Sequence, residues 1–169
     1  MLALPHNTAL LIIDVVATSA DGPPVPGRNN PGMEANIARL EAAWQESGRP
    51  TMRVKHQARW PGARIHYSAF LGTDLEGQLR RRGVATLILT GLATDRCVST
   101  TARQAANVGY TTYVVSDATA TFDRLGADGW WHGAAAVHAV ALAELNGEFA
   151  TIIDTATVLA ALGAAPCAA

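Results

Sequence analysis

Cys97 closes the stretch Thr86-Leu-Ile-Leu-Thr-Gly-Leu-Ala-Thr-Asp-Arg-Cys97, in which Leu87, Ile88 and Leu89 carry a buried-strand pattern and a helical pattern begins after Gly91. A thiol at a helix N-terminus meets the positive end of the macrodipole and unpaired backbone N–H groups, and both favour thiolate. The same N–H groups can receive the oxygen of a tetrahedral intermediate. Cys97 is therefore a candidate nucleophile beside a candidate oxyanion hole; its other reading is a small buried thiol packed in the first helical turn. Asp14 ends the apolar run Ala9-Leu-Leu-Ile-Ile13. The C-terminal edge of such a strand is where open α/β sheets bind their ligands, although an aspartate there also serves as a turn or cap residue. Lys55 is the only lysine of the chain, so any lysine-dependent chemistry has one candidate. His56, next to it, reads as a ligand or base, or as a locally hydrogen-bonded histidine.

The elements that must position these residues follow in a regular order. The run at 9–13 is continuously apolar, as in a strand covered on both faces of a parallel sheet. Residues 17–32 are dense in Gly and Pro and read as a loop. Ile37, Leu40, Ala43 and Trp44 recur at helical spacing within 33–47, and Gly48 stops that helix. A strand at 51–54, a helix at 75–82 capped by Thr73 or Asp74, a strand at 86–89 and a helix at 98–108 come next. A strand at 112–115, an alanine-rich helix at 130–145, a strand at 149–153 and a helix at 155–162 complete the chain. Alternating strands and helices predict an α/β fold, a doubly wound, mainly parallel sheet in a Rossmann-like three-layer arrangement with helices on both faces.

The 169 residues fit one domain with its core at 8–162 and a frayed tail at 163–169, which holds the second cysteine, Cys167. Two cysteines do not make a disulfide framework. Hydrophobic residues at 49% and charged residues at 16% argue against disorder, and a net charge of -1 gives no electrostatic case for nucleic acid or an anionic membrane. With no leader pattern and no apolar run of membrane-spanning length, a cytoplasmic protein is expected. GxGxxG after the first strand and GxxxxGK[ST] are both missing, so dinucleotide and P-loop chemistry lack their usual support. No His, Asp or Cys cluster has metal-ligand spacing, and neither metal nor cofactor is expected.

Taken together, several segments resemble the isochorismatase-like cysteine hydrolase family over residues 8–162. Ala9-Leu-Leu-Ile-Ile-Asp14 is similar to its first strand with the catalytic aspartate. Tyr67-Ser-Ala-Phe-Leu-Gly-Thr-Asp-Leu75 resembles its Ser-Ala-Phe-x-Gly-Thr-x-Leu segment. Leu89-Thr-Gly-Leu-Ala-Thr-Asp-Arg-Cys-Val98 is similar to its nucleophile segment, and Val114-Val-Ser-Asp-Ala118 and His132 fall where the family has similar residues. The resemblance implies a triad of aspartate, lysine and cysteine, with Asp14 as base and Cys97 as nucleophile. It also implies a non-proline cis peptide at Ala93–Thr94 that turns backbone N–H groups toward the oxyanion, and a homodimer or larger homo-oligomer.

The departures from the pattern carry information. The family lysine lies four residues before the serine of Ser-Ala-Phe, and here that position is Arg64. Arginine keeps the positive charge but does not donate a proton as lysine can. Either Arg64 is a purely electrostatic partner, or Lys55 reaches in from the neighbouring strand. The metal-binding Asp-x-His of the nicotinamidase branch is not evident. Phe70, Tyr67, Trp60 and Trp130 are candidate pocket walls or ordinary packing, with Lys55 and the backbone at Ala93 and Thr94 beside them. The expected reaction is hydrolysis of an amide, ureido or related C–N bond in a small molecule. Vinyl-ether hydrolysis, which needs no thiol, and a non-catalytic binding module are the alternatives.

Overall fold

The computed structural model describes residues 2–15, 27–55 and 66–163. In chain order its elements are β1 (Thr8–Ile13), α1 (Met33–Glu46), β2 (Thr51–Val54), α2 (Leu75–Arg81), β3 (Thr86–Leu92), a π-helical turn (Thr94–Val98) and α3 (Ser99–Asn107). They continue with β4 (Thr111–Ala120), β5 (Arg124–Leu125), β6 (Trp131–His132), α4 (Ala134–Leu145), β7 (Thr151–Ile153) and α5 (Thr155–Gly163). Five strands form a parallel sheet in the order β2-β1-β3-β4-β7, while β5 and β6 pair as an antiparallel ribbon.

The continuous apolar run of β1 is explained by its position, since all six of its residues are buried. Side chains alternate across a strand. Leu10 and Ile12 accordingly join one core cluster with Met33, Ile37, Leu40 and Trp44 of α1 and Val158 and Ala161 of α5. Ala9, Leu11 and Ile13 join the opposite cluster with Leu75 and Leu79 of α2, Ala102 and Ala105 of α3 and Leu145 of α4. The sheet is therefore sandwiched between helices, in the three-layer α/β arrangement. Among the described residues no helix is long and apolar enough to cross a membrane.

Three elements depart from their expected bounds. The helix expected over 130–145 begins only at Ala134, because Leu125 pairs with Trp131 and Arg124 with His132 in the ribbon. The strand expected over 149–153 is confined to Thr151–Ile153, because the Phe149 and Ala150 amides both bond the Leu145 carbonyl and stay in the turn that ends α4. β4 runs on to Ala120, past a register shift opposite Leu89 and Gly91, so that its last residues pair with Gly91 and Leu92.

The strand order reverses direction at β1 and β3, a topological switch point of the kind where parallel sheets open a crevice at their carboxyl ends. Gly91 permits the close contact there. It pairs with Ile13 at φ +108°, and a Cβ built on it would lie 2.0 Å from the Ile13 carbonyl oxygen. Any side chain at 91 would push apart the two strand ends that lead to Asp14 and Cys97. Gly48 also has a positive φ, +67°, but faces open space. Gly91→Ala is expected to cost about 3 kcal/mol or more in urea unfolding, against about 1 kcal/mol for Gly48→Ala, where only backbone strain is added.

Candidate active site

Asp14 follows β1 in the left-handed region at φ 53°, a conformation that aspartate tolerates better than most residues. Its amide donates to the Val54 carbonyl at 2.8 Å, which fixes the residue against β2. After β3 the chain passes through a non-proline cis peptide at Leu92–Ala93, one bond earlier than the expected Ala93–Thr94. The wide turn that follows is closed by the Val98 amide, which reaches back to the Ala93 carbonyl at 3.1 Å. Cys97 therefore sits in a π-helical turn ahead of α3 and not in the first turn of the α-helix. Its thiol donates a hydrogen bond to the Asp14 carboxylate, and the amides of Ala93 and of Cys97 itself are directed at the sulfur.

The electrostatics reverse the expectation of a thiolate-favouring site. The Cys97 thiol is pushed up from its ordinary 9.0 to about 12, first by burial, then by the hydrogen bond to Asp14 and the charge of that carboxylate. The two backbone amides act in the opposite direction and are outweighed. A neutral thiol is thus held against a carboxylate that can take its proton.

The turn is anchored on its flanks. Burial alone would raise the pKa of Asp95, but hydrogen bonds from Arg124 and Thr121 overcome it and hold the carboxyl below its ordinary 3.8. Arg124 donates through Nε and an Nη at 2.8 and 3.1 Å, and the Thr121 hydroxyl donates to the same carboxylate. The Ser68–Phe70 segment is tied to α3 by the Ala69 amide, which donates to the Thr101 hydroxyl at 3.0 Å. Thr73 supports the start of α2 by accepting from the Leu75 amide at 3.2 Å and donating to the Ala69 carbonyl.

The other candidates from the sequence are dispersed. Arg64, Trp60, His56 and Cys167 lie outside the described residues. Lys55 is exposed and lines a groove of about 340 Å³ with Thr73, Asp74 and Gln78, a groove that neither Asp14 nor Cys97 lines. Phe70 is buried in the same cluster as Cys97, with its ring 5.8 Å from that of Tyr110. Tyr67 is half exposed, and Trp130 stands 74% exposed in the turn between β5 and β6. Thr94 turns its side chain inward, where Oγ1 lies 2.9 Å from His138 Nδ1. Among the described residues no group of three or more His, Cys, Asp or Glu is arranged to hold a metal ion. Sequence reasoning passed over His138, Asp95, Thr121, Arg124 and Asn30. Only His138 carried a signal, a polar residue at an inward position of a helix whose one other polar residue is Glu144.

A family model described as the isochorismatase domain matches residues 60–157, more than half of the chain. The chain belongs to the isochorismatase family. It is 34% identical to the uncharacterized isochorismatase family protein YrdC of Bacillus subtilis (strain 168), over 90% of this chain and 94% of that protein. An isochorismatase-family crystal structure from Chromobacterium violaceum ATCC 12472 superposes with a TM-score of 0.85 at 32% identity, covering 96% of this chain and 97% of that one. A shorter match, 37% identical over 57% of this chain and 34% of the relative, is to the ureidoacrylate amidohydrolase RutB of Methylobacterium radiotolerans. The chain is thus an isochorismatase-family hydrolase.

Two outcomes follow from the charges around the turn. Asp14→Asn removes the negative charge that disfavours thiolate and replaces one carboxylate oxygen with an amide donor. Iodoacetamide should then alkylate Cys97 at mildly alkaline pH about tenfold faster or more than in the parent, each pKa unit being a factor of ten in thiolate. Asp95 has a depressed folded pKa, so its contribution is present above the ordinary carboxyl value of 3.8 and is lost as pH falls through the lower folded value. Asp95→Asn should cost about 2 kcal/mol at neutral pH, and its thermal stability should be flatter than the parent's through the acid range.

Proposed function

We propose that this chain hydrolyses a C–N bond in a small amide or ureido compound, with Cys97 as nucleophile, Asp14 as general base and Arg64 as the cation in the place of the family lysine. The observation that carries this reading is the Cys97 thiol donating to the Asp14 carboxylate while the amides of Ala93 and Cys97 face the same sulfur. In the first half-reaction the sulfur attacks the carbonyl carbon as its proton passes to Asp14. A thiol whose pKa is pushed to about 12 holds its proton until that moment, so no standing thiolate is required. The developing oxyanion forms beside the sulfur, within reach of the two amides.

When the tetrahedral adduct collapses, the C–N bond breaks and protonated Asp14 returns its proton to the leaving nitrogen. The product is a thioester on Cys97. In the second half-reaction Asp14 takes a proton from water as the water oxygen attacks the thioester carbon, and the proton then returns to the departing sulfur. One water is consumed per bond cleaved. The match to an enzyme named ureidoacrylate amidohydrolase supports the ureido end of this substrate range. Arg64 supplies positive charge for the oxyanion or for a substrate carboxylate and takes no part in proton transfer.

The test is a panel of N-carbamoyl and primary amide compounds, followed by ammonia release and by mass spectrometry of the quenched enzyme. The expected result is turnover with an acyl adduct on Cys97, and a loss of about 10³-fold or more in kcat/KM for both Cys97→Ala and Asp14→Asn. Asp14→Asn then has a distinctive signature, faster alkylation with lost turnover. Arg64→Ala should fall well below Arg64→Lys, while Lys55→Ala stays at the parent's rate. Retained turnover in Cys97→Ala would overturn the nucleophile and favour hydrolysis by substrate protonation, as for a vinyl ether.

A further inference from the structure

Residue 94 stands between the cis peptide and the nucleophile in the chain, and its side chain is engaged by α4. Thr94 is fully buried, and its Oγ1 meets Nδ1 of His138 at 2.9 Å. His138 is itself only 9% exposed, on a helix whose other buried residues are Ala134, Ala141 and Leu145. Burying an imidazole in such a setting is costly unless both ring nitrogens find partners, and here both do. The ring donates to the Ser116 carbonyl, and Nε2 lies 3.4 Å from the Asn30 amide nitrogen. That amide in turn donates to the carbonyls of Ser116 at 2.9 Å and Thr119 at 2.7 Å. Nδ1 and the Thr94 hydroxyl share one hydrogen bond, whose donor is set by the imidazole tautomer, since the hydroxyl both donates and accepts. Burial holds the imidazole below its ordinary pKa of 6.5, which keeps the ring neutral at physiological pH.

The backbone around Thr94 explains what this hydrogen bond does. The π-helical turn begins at Thr94 and has no side-chain cap at its N-terminus. The Ala93 carbonyl is taken by the amides of Arg96 at 3.0 Å and Val98 at 3.1 Å, while the Ala93 amide is directed at the sulfur. A rotation of the backbone at Thr94 would shift Cys97 relative to that amide. Asp95, the next residue, is clamped by Thr121 and Arg124. Two consecutive side chains of the turn are thus tethered to separate parts of the fold, α4 on one side and the end of β4 with its ribbon on the other.

We propose that His138 is a positioning residue for the nucleophile turn: through the Thr94 hydroxyl it fixes the backbone rotation that aims the Ala93 and Cys97 amides at the reacting sulfur. This rests on the reading of Cys97 as nucleophile. His138 touches neither sulfur nor substrate in this role and acts through Thr94 alone.

The test uses the full chain in four variants, Thr94→Val, Thr94→Ser, His138→Leu and His138→Asn, with melting temperature recorded for each. Valine keeps the shape of threonine without the hydroxyl, serine keeps the hydroxyl, and the asparagine amide offers the hydroxyl a donor or an acceptor in place of the imidazole. The readouts are the pH–rate profile of Cys97 alkylation by iodoacetamide and the separate kcat and KM values on the best C–N substrate. Thr94→Val and His138→Leu should shift the thiol titration upward and slow alkylation at mildly alkaline pH by about five- to tenfold. Their kcat should fall in parallel while KM stays within about twofold. Thr94→Ser and His138→Asn should recover most of the loss, and the double variant Thr94→Val/His138→Leu should be no slower than the worse single one.

Parent-like alkylation and kcat in Thr94→Val would overturn the proposal. If His138→Leu fails to fold, the Thr94→Val and Thr94→Ser pair decides it alone. An alkylation pattern as expected, with no compound turned over by the parent, would sink the hydrolase reading and leave the positioning role standing. Turnover in the parent with unchanged alkylation and kcat in Thr94→Val would do the reverse.

Discussion

The hydrogen bond between the Cys97 thiol and the Asp14 carboxylate is the constraint on which the site depends. Two acids brought together in a half-buried place cannot both carry charge cheaply, because burial weakens the solvation that each charge needs. One proton shared between them resolves the conflict, and it rests on sulfur, as the raised thiol pKa records. A proton held there is also in position for transfer, since the acceptor is already hydrogen-bonded to the donor. The amides of Ala93 and Cys97 favour negative charge at the same place and are outweighed by burial first and by the carboxylate second. The resting site is therefore a neutral thiol hydrogen-bonded to a carboxylate, with the amides already in place for negative charge that develops during reaction.

Holding that pair together requires two strand ends to stay in register. β1 delivers Asp14 and β3 delivers the turn with Cys97, and the strands meet where Ile13 pairs with Gly91. The absence of a side chain at 91 lets the backbones close, and full burial of β1 between two helical layers removes the freedom to slide. Packing energy gathered across the whole sheet is in this way converted into a fixed distance at its edge.

The turn itself has little regular structure to hold it, and polar side chains from far along the chain take over that work. Asp95 is bound by Thr121 and Arg124, and Thr94 by His138. Asn29 and Asn30, at the end of a Gly- and Pro-rich stretch, are stitched to the end of β4 and the residue after it by hydrogen bonds with Ser116, Thr119 and Thr121. Asp117 serves the scaffold in the same manner, accepting from the amide and hydroxyl of Thr155 at the start of α5. Buried polar networks of this kind favour one geometry because each member is satisfied only in that geometry.

Much of the architecture was legible in the amino-acid sequence alone. Continuous apolar runs announce strands covered on both faces, and helical spacing at Ile37, Leu40 and Trp44 announces a sheet-facing helix, because both patterns are local consequences of side-chain direction. Asp14 and Cys97 were legible for the same reason, each sitting where a strand pattern ends. The protonation state of Cys97 was not. It depends on the approach of a carboxylate some eighty residues earlier and on burial by three helices, and a helix-terminus argument saw only the amides. The register of the π-helical turn, the ribbon that delays α4 to Ala134 and the clasp of Thr94 by His138 are likewise decisions of tertiary contact. Local pattern sets which residues form strands and helices; only the folded chain sets which of their polar groups meet, and with which charge.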